Sequence, residues 1–339
     1  MRFGKMLALG ALALVIGAGN AAAQQLEKKD IKLAVGGKPL LYYLPLTLAE
    51  RLGYFKDAGL NVEISDFGGG AKSLQALIGG SADVVTGAFD HAIQMQAKNQ
   101  PIVSVVELGR FPGIVLASVT KSGDIKTVKD LKGKKIGVTA PGSSTNFMVN
   151  YLLVQNGLKP EDVSFIGVGG GPSAVAAVKR GDIDAISNLD PVMSQLENDG
   201  DIKVIADTRT LEGTKAVYGG QYPAAVLYMK PDFAQQNPNT TQALVNVFVR
   251  TLKWLDKASA DDVMKVLPEE YFLGNKDLYR TAFERSKPTY SPDGHFTREG
   301  AEVAYKVLKA FDPAVASANI DLNKAYTDAF VEKAHTLLK

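Results

Sequence analysis

The 339-residue chain contains no cysteine, and its 38 Lys and Arg against 36 Asp and Glu give a formal charge of +2. These figures exclude disulfides, thiol catalysis and cysteine-held metals, and they leave no basic footprint for a nucleic acid. The length exceeds what one hydrophobic core usually serves, so two lobes are expected.

Arg2 and Lys5 precede an apolar run from Met6 to Ala18, and Ala21-Ala22-Ala23 offers a small-residue cleavage point. This predicts a secretory signal peptide over residues 1–23. The run is shorter than the ~20 residues of a membrane span. With no cysteine to carry a lipid, free periplasmic residence is expected.

Further on, Ile31 to Val35 reads as a strand closed by Gly36-Gly37-Lys38-Pro39, and Leu44, Leu48 and Leu52 give a helix one apolar face. Val62 to Ile64 is a second strand. A glycine loop, a helix and the strand Asp83 to Val85 follow. Gly87 frees that strand's end before a helix from Phe89 to Lys98. Ile102 to Leu108 and Ile114 to Val119 are strands separated by Arg110-Phe111-Pro112-Gly113. Lys135 to Val138 then opens a new α/β unit, with the loop Thr139 to Thr145, a helix to Gln155 and a strand from Val163 to Ile166. Beyond a second glycine loop come the strand Ile183 to Ser187, the turn Asn188 to Pro191, a helix to Glu197 and the strand Lys203 to Ala206. Tyr222 to Met229 is the strand expected to return to the first lobe. Five helices are expected after Pro231, the last over Leu322 to Leu338, as scaffold around lobe one.

The two glycine loops are copies at a fixed offset. Gly68-Gly69-Gly70 precedes a helix and a buried strand holding Asp83, and Gly169-Gly170-Gly171 precedes the same sequence of elements holding Asp184, with 169 − 68 = 101 and 184 − 83 = 101. Glycine permits positive φ and close backbone approach, and a helix start presents free N–H groups. Such loops at strand carboxyl ends are where open α/β sheets bind ligands.

Candidate ligand contacts are therefore drawn from the loops. In lobe one they are Gly37, Lys38, Tyr42, Gly69, Gly70, Lys72, Gly87, Phe89 and Arg110. In lobe two they are Gly142, Ser143, Ser144, Thr145, Gly170, Gly171, Asn188 and Asp190. Small hydroxyl residues at a helix start suit an oxyanion, or else cap the helix; Lys38, Lys72 and Arg110 could add charge. Asp190 suits a helix cap at least as well as a ligand contact. Tyr43, Phe111 and Tyr218 could make the cleft partly apolar. His91, His295 and His335 are scattered without metal-ligand spacing, and no nucleophile elbow or dinucleotide fingerprint is present. No metal, cofactor or catalytic residue is expected.

Leu48 to Glu63, with its core Gly53-Tyr54-Phe55-Lys56-Asp57-Ala58-Gly59-Leu60, resembles the opening motif of the periplasmic solute-binding proteins for nitrate, alkanesulfonates and taurine. Leu77 to Asp83, Asp130 to Val138, Gly181 to Ala185 and Asp190-Pro191 extend the resemblance over about residues 30 to 335. The resemblance implies a two-lobed α/β periplasmic-binding-protein fold of type II with two crossovers. It also implies a ligand between the lobes and delivery to an ABC permease and its ATPase. The expected division is lobe one over 24–116 and 222–339 and lobe two over 117–221, in a monomer. The cargo expected is a small organic anion, a sulfonate or carboxylate. Relatives also bind aromatic carboxylates and thiamine-precursor pyrimidines. The related pyrimidine synthases use cysteine and histidine clusters, so the missing cysteines disfavour that enzymatic branch. A ligand-sensing adaptor is the other alternative. Asp190 stands where the family often carries a bulky aromatic or Glu.

Overall fold

The computed structural model describes residues 25–338, so the expected signal segment lies outside the described residues. Ten strands form two sheets of five. The first contains β1 (Asp30–Val35), β2 (Asn61–Asp66), β3 (Val84–Ala88), β4 (Val103–Glu107) and β10 (Ala225–Met229), in the order β2-β1-β3-β10-β4. The second contains β5 (Val115–Val119), β6 (Lys135–Val138), β7 (Ser164–Gly167), β8 (Ala185–Asn188) and β9 (Ile202–Asp207), in the matching order β7-β6-β8-β5-β9. In each sheet four strands share one direction, and the strand that has just crossed over from the other lobe inserts antiparallel between two of them. The central strands β3, β5, β8 and β10 are buried along their whole length, which explains why they read as continuous apolar runs rather than alternating ones.

The helices that position the seam are α1 (Leu44–Arg51), α2 (Gly70–Ile78), α3 (Asp90–Ala97), α4 (Ser144–Gln155), α5 (Pro172–Arg180), α6 (Val192–Asn198) and α7 (Leu211–Tyr218). Gly68 and Gly169, the first glycine of each copy, both have positive φ, at 68° and 77°, so the sequence repeat is also a backbone repeat.

Two crossovers, over 108–114 and 208–224, lie side by side. Leu108 and Gly109 donate to the Ala225 carbonyl, Gly113 donates to Thr208, and Thr208 donates to Ile114. The chain pairs in the second sheet from Val115, two residues before the expected start of lobe two at 117.

After Pro231 two expectations change. The C-terminal helices do not serve lobe one alone: Arg285 pairs with Glu197 of α6 at 3.1 Å, and Phe311 packs on Phe147 of α4 at 5.6 Å between ring centroids. The lobes lie close enough for these helices to touch both. The final helix is Ala329–Leu337, because after one turn at Leu322–Lys324 the chain forms a short bridge from Tyr326 to Ser104.

Candidate functional site

The loops at the strand carboxyl ends of the two lobes meet along a seam, and the glycines are what let them meet. The Asp66 carboxylate accepts from the backbone N–H groups of Gly37, Lys38 and Gly68, tying the first two lobe-one loops together. A Cβ on Gly69 would lie 2.7 Å from the Ala140 Cβ and 3.0 Å from the Thr139 carbonyl oxygen. One on Gly170 would lie 2.6 Å from Leu40, and the Gly37 side faces the Gly170 Cα. The bare glycine backbone of one lobe thus lies directly against the other lobe, and at Gly69 a side chain would run into the Thr139 backbone and hold the lobes apart.

Across the seam, Ser143 does something local sequence cannot reveal. It precedes α4 but makes no cap bond there; its Oγ instead accepts from the Ala71 N–H of α2, at 2.9 Å. Lobe two thus caps a lobe-one helix, at the helix start behind the first glycine copy. Thr145 is turned into its own lobe, where its Oγ1 accepts from the Thr139 N–H at 3.1 Å. Ser144 remains half-buried at the seam, near the Tyr42 hydroxyl. The Gly142 carbonyl accepts from His91 Nε2 at 3.3 Å, and His91 Nδ1 faces the Tyr228 hydroxyl at 3.2 Å. Burial pushes His91 down to about 4, so the neutral ring donates through Nε2 and accepts through Nδ1.

Other candidates have surroundings of their own. Lys38 pairs with Glu50 at 2.6 Å, Lys72 is exposed, and Arg110 donates to the Pro288 carbonyl and lies over the Phe111 ring. Phe89 is core, packed on Phe296 and Tyr326. Gly87 leaves room for the Tyr228 ring, and Gly171 has nothing within 4 Å. Asn188 donates to the Gly169 carbonyl, bracing the second glycine loop from within its own lobe. Asp190 caps α6 by accepting from the Ser194 N–H and pairs with Arg209 at 3.4 Å, while its own carbonyl accepts from Leu41 across the seam. Gly70 lies among Tyr43, His91 and Ser143.

Beside these loops lies Asp90, which in sequence reads only as a helix-opening acid. It is 2% exposed, and Tyr222 of the second crossover donates its hydroxyl to Oδ1. Tyr218 stacks on Tyr222 with centroids 4.2 Å apart, Tyr151 stacks on Tyr218 at 5.9 Å, and Tyr42 meets Tyr43 edge-on at 4.9 Å. Burial pushes the Asp90 carboxyl up to about 7 against the pull of the Tyr222 hydroxyl. Burial likewise raises the hydroxyls of Tyr42, Tyr218 and Tyr222, with Asp90 adding to each. The aromatic richness of the seam is legible in Tyr42, Tyr43 and Tyr218; Tyr222 reads as the end of a strand.

Two matched sheets, a pair of adjoining crossovers and a polar, tyrosine-rich seam define a two-lobed α/β binding fold. The chain belongs to the NMT1/THI5-like family, whose model matches residues 41–258. It is similar to a putative binding protein, YtlA, of Bacillus subtilis, at 23% identity over 75% of each chain. It is also similar to 4-amino-5-hydroxymethyl-2-methylpyrimidine phosphate synthase of Aspergillus parasiticus, at 26% identity over 77% of each. Among solved structures, one from Bordetella bronchiseptica RB50 is 52% identical, with a TM-score of 0.90 over 93% of this chain and 99% of that one. The periplasmic nitrate-binding protein NrtA of Synechocystis shares the fold at 17% identity, with a TM-score of 0.73 over 93% of this chain and 90% of that one. Among the described residues no helix is long and apolar enough to cross a membrane.

Proposed function

We propose that this chain is the substrate-binding component of an ABC importer. It works in the periplasm after export, as a monomer, and holds a small ligand between its lobes without converting it. The closed form is the one presented to a permease and its ATPase. The observation that carries this is the pair of hydrogen-bonded crossovers beside a seam whose glycines permit direct lobe-to-lobe contact. That is the anatomy of a hinge, and a ligand that favours closure shifts the population toward it. The similarity to a protein named for binding, and to a periplasmic nitrate-binding protein in fold, supports the same conclusion.

A sulfonate or carboxylate cargo is the finer expectation from sequence, and the geometry gives it weak support. The α2 start is already capped by Ser143, Thr145 faces its own lobe, and Lys38, Lys72 and Arg110 are engaged or exposed elsewhere. The synthase among the relatives supplies a second reading, an enzyme on the same scaffold.

The test is a metabolite screen by thermal shift on the purified protein, followed by small-angle scattering with each hit. The expected result is a raised melting temperature, a smaller radius of gyration and a ligand recovered unchanged. A hit recovered as a different compound would establish the enzyme instead.

A further inference from the structure

The two lobes carry a buried aspartate at the same topological place. Asp90 stands two residues beyond β3, and Asp190 stands two residues beyond β8. Each is 2% exposed. Asp190 has a cation, Arg209, which follows the edge strand β9 and lies 3.4 Å away. The corresponding edge strand of lobe one, β4, leads into Leu108-Gly109-Arg110. Its arginine points to the Pro288 carbonyl and the Phe111 ring. Among the described residues Asp90 has no ion pair, and no Lys or Arg acts on its carboxyl. The titratable groups that face it are the hydroxyls of Tyr42, Tyr218 and Tyr222. Among the described residues Tyr218, 4% exposed, has no hydrogen bond to offset the effects of burial and of Asp90 on its hydroxyl.

A buried carboxylate without a countercharge is costly, and a fold that supplies one in lobe two has withheld it in lobe one. The withheld charge can come from a ligand. We propose that the interlobe site takes an organic nitrogen cation, an ammonium or amidinium group, held by the Asp90 carboxylate among the rings of Tyr42, Tyr218 and Tyr222. This rests on the proposal that the ligand binds between the lobes. A cation gains from the negative faces of the tyrosine rings as well as from the carboxylate. An anion in the same place meets both with the wrong sign. The Tyr222 hydroxyl orients the carboxylate, and the free Tyr218 hydroxyl offers an acceptor for a further N–H.

The test measures binding of benzylamine and benzamidine by calorimetry at pH 8, with benzyl alcohol, benzoate and benzenesulfonate as uncharged and anionic counterparts. Both cations are expected to bind and the counterparts not to. Asp90→Asn keeps the shape and the partner for Tyr222, and should weaken cation binding on the order of tenfold to a hundredfold. The unmodified protein supplies an independent arm. With the acid half-ionised at about 7, proton competition should make cation binding about tenfold weaker at pH 6 than at pH 8. Preference for the anions, equal binding of benzyl alcohol, or cation binding unmoved by both pH and Asp90→Asn would overturn the assignment and leave the binding-protein proposal standing. If neither these probes nor any compound of the metabolite screen shifts the melting temperature, both proposals fall together.

Discussion

Asp90 and Asp190 share an address but not an environment. In lobe two the carboxylate is locked into a cluster: Arg209 spans Asp190, Glu197 and Asp207, and Glu197 reaches on to Arg285. In lobe one the equivalent acid faces tyrosines. The same division separates the glycine copies. Gly69 is pressed against the opposite lobe, and the helix that follows it takes its cap from there, whereas Ser173 behind the second copy is exposed and bonds the Val168 carbonyl of its own lobe. Repetition of the fold has therefore duplicated the scaffold while assigning structural duty to one lobe's polar groups and leaving the other's available.

The comparison can be broken most forcefully at the arginine. Arg209→Leu leaves the buried Asp190 without a cation and takes a partner from Glu197 and Asp207, and should destabilise the protein by about 3–5 kcal/mol in urea unfolding. Asp90→Asn removes an acid with no cation and should leave stability at pH 8 unchanged or raised. Equal losses in the two variants would mean that the two aspartates are not distinct.

Acid titration sharpens the contrast within lobe one. Asp90, raised from 3.8 to about 7, keeps in the folded state a proton that the unfolded chain releases, so it lowers stability as pH rises from about 4 to 7. His91, lowered from 6.5 to about 4, stays neutral when folded while the unfolded chain protonates, so it lowers stability as pH falls through the same range. The two slopes oppose one another in the unmodified protein. Relative to the unmodified protein, Asp90→Asn should make the slope of stability with pH more positive by about 1.4 kcal/mol per pH unit between pH 4.5 and 6, and His91→Gln more negative by the same amount. Changes of one sign in both variants would contradict the assignment.

The glycine copies come next. Gly69 has extended backbone, so Gly69→Ala adds no local strain but forces Ala140 and Thr139 away. Scattering should report an opened molecule, and affinity for whatever ligand the screen identifies should drop by roughly tenfold or more, about 1.4 kcal/mol. Gly171→Ala should change neither. The smallest effect is expected at the caps: Ser143→Ala should cost the closed form about 1 kcal/mol, and Ser173→Ala a few tenths.

Much of the architecture was legible because strand periodicity and glycine spacing are local signals. The 101-residue offset between Gly68 and Gly169 survives as a matched φ, and Tyr222 to Met229 does lead into a strand of the first sheet. The seam was less legible, because its partners are distant in the chain. Ser143 looks like the cap of the helix beside it and serves one that starts 73 residues earlier, at Gly70. Asp90 looks like any acid in a first helical turn until the crossover brings Tyr222 onto it. Lys38, Lys72 and Arg110 were placed near the loops by sequence, but side-chain direction depends on Glu50 and Pro288, which lie on other elements.

The bond from Ala71 to Ser143 gives this molecule a built-in clock. The Ala71 amide is shielded by an oxygen of the other lobe, so its hydrogen exchanges with deuterated solvent only when the lobes separate. Its exchange rate, divided by that of the same amide unprotected, is the fraction of time spent open. One residue's deuterium uptake can thus follow closure continuously, with no dye attached and before any cargo has been identified.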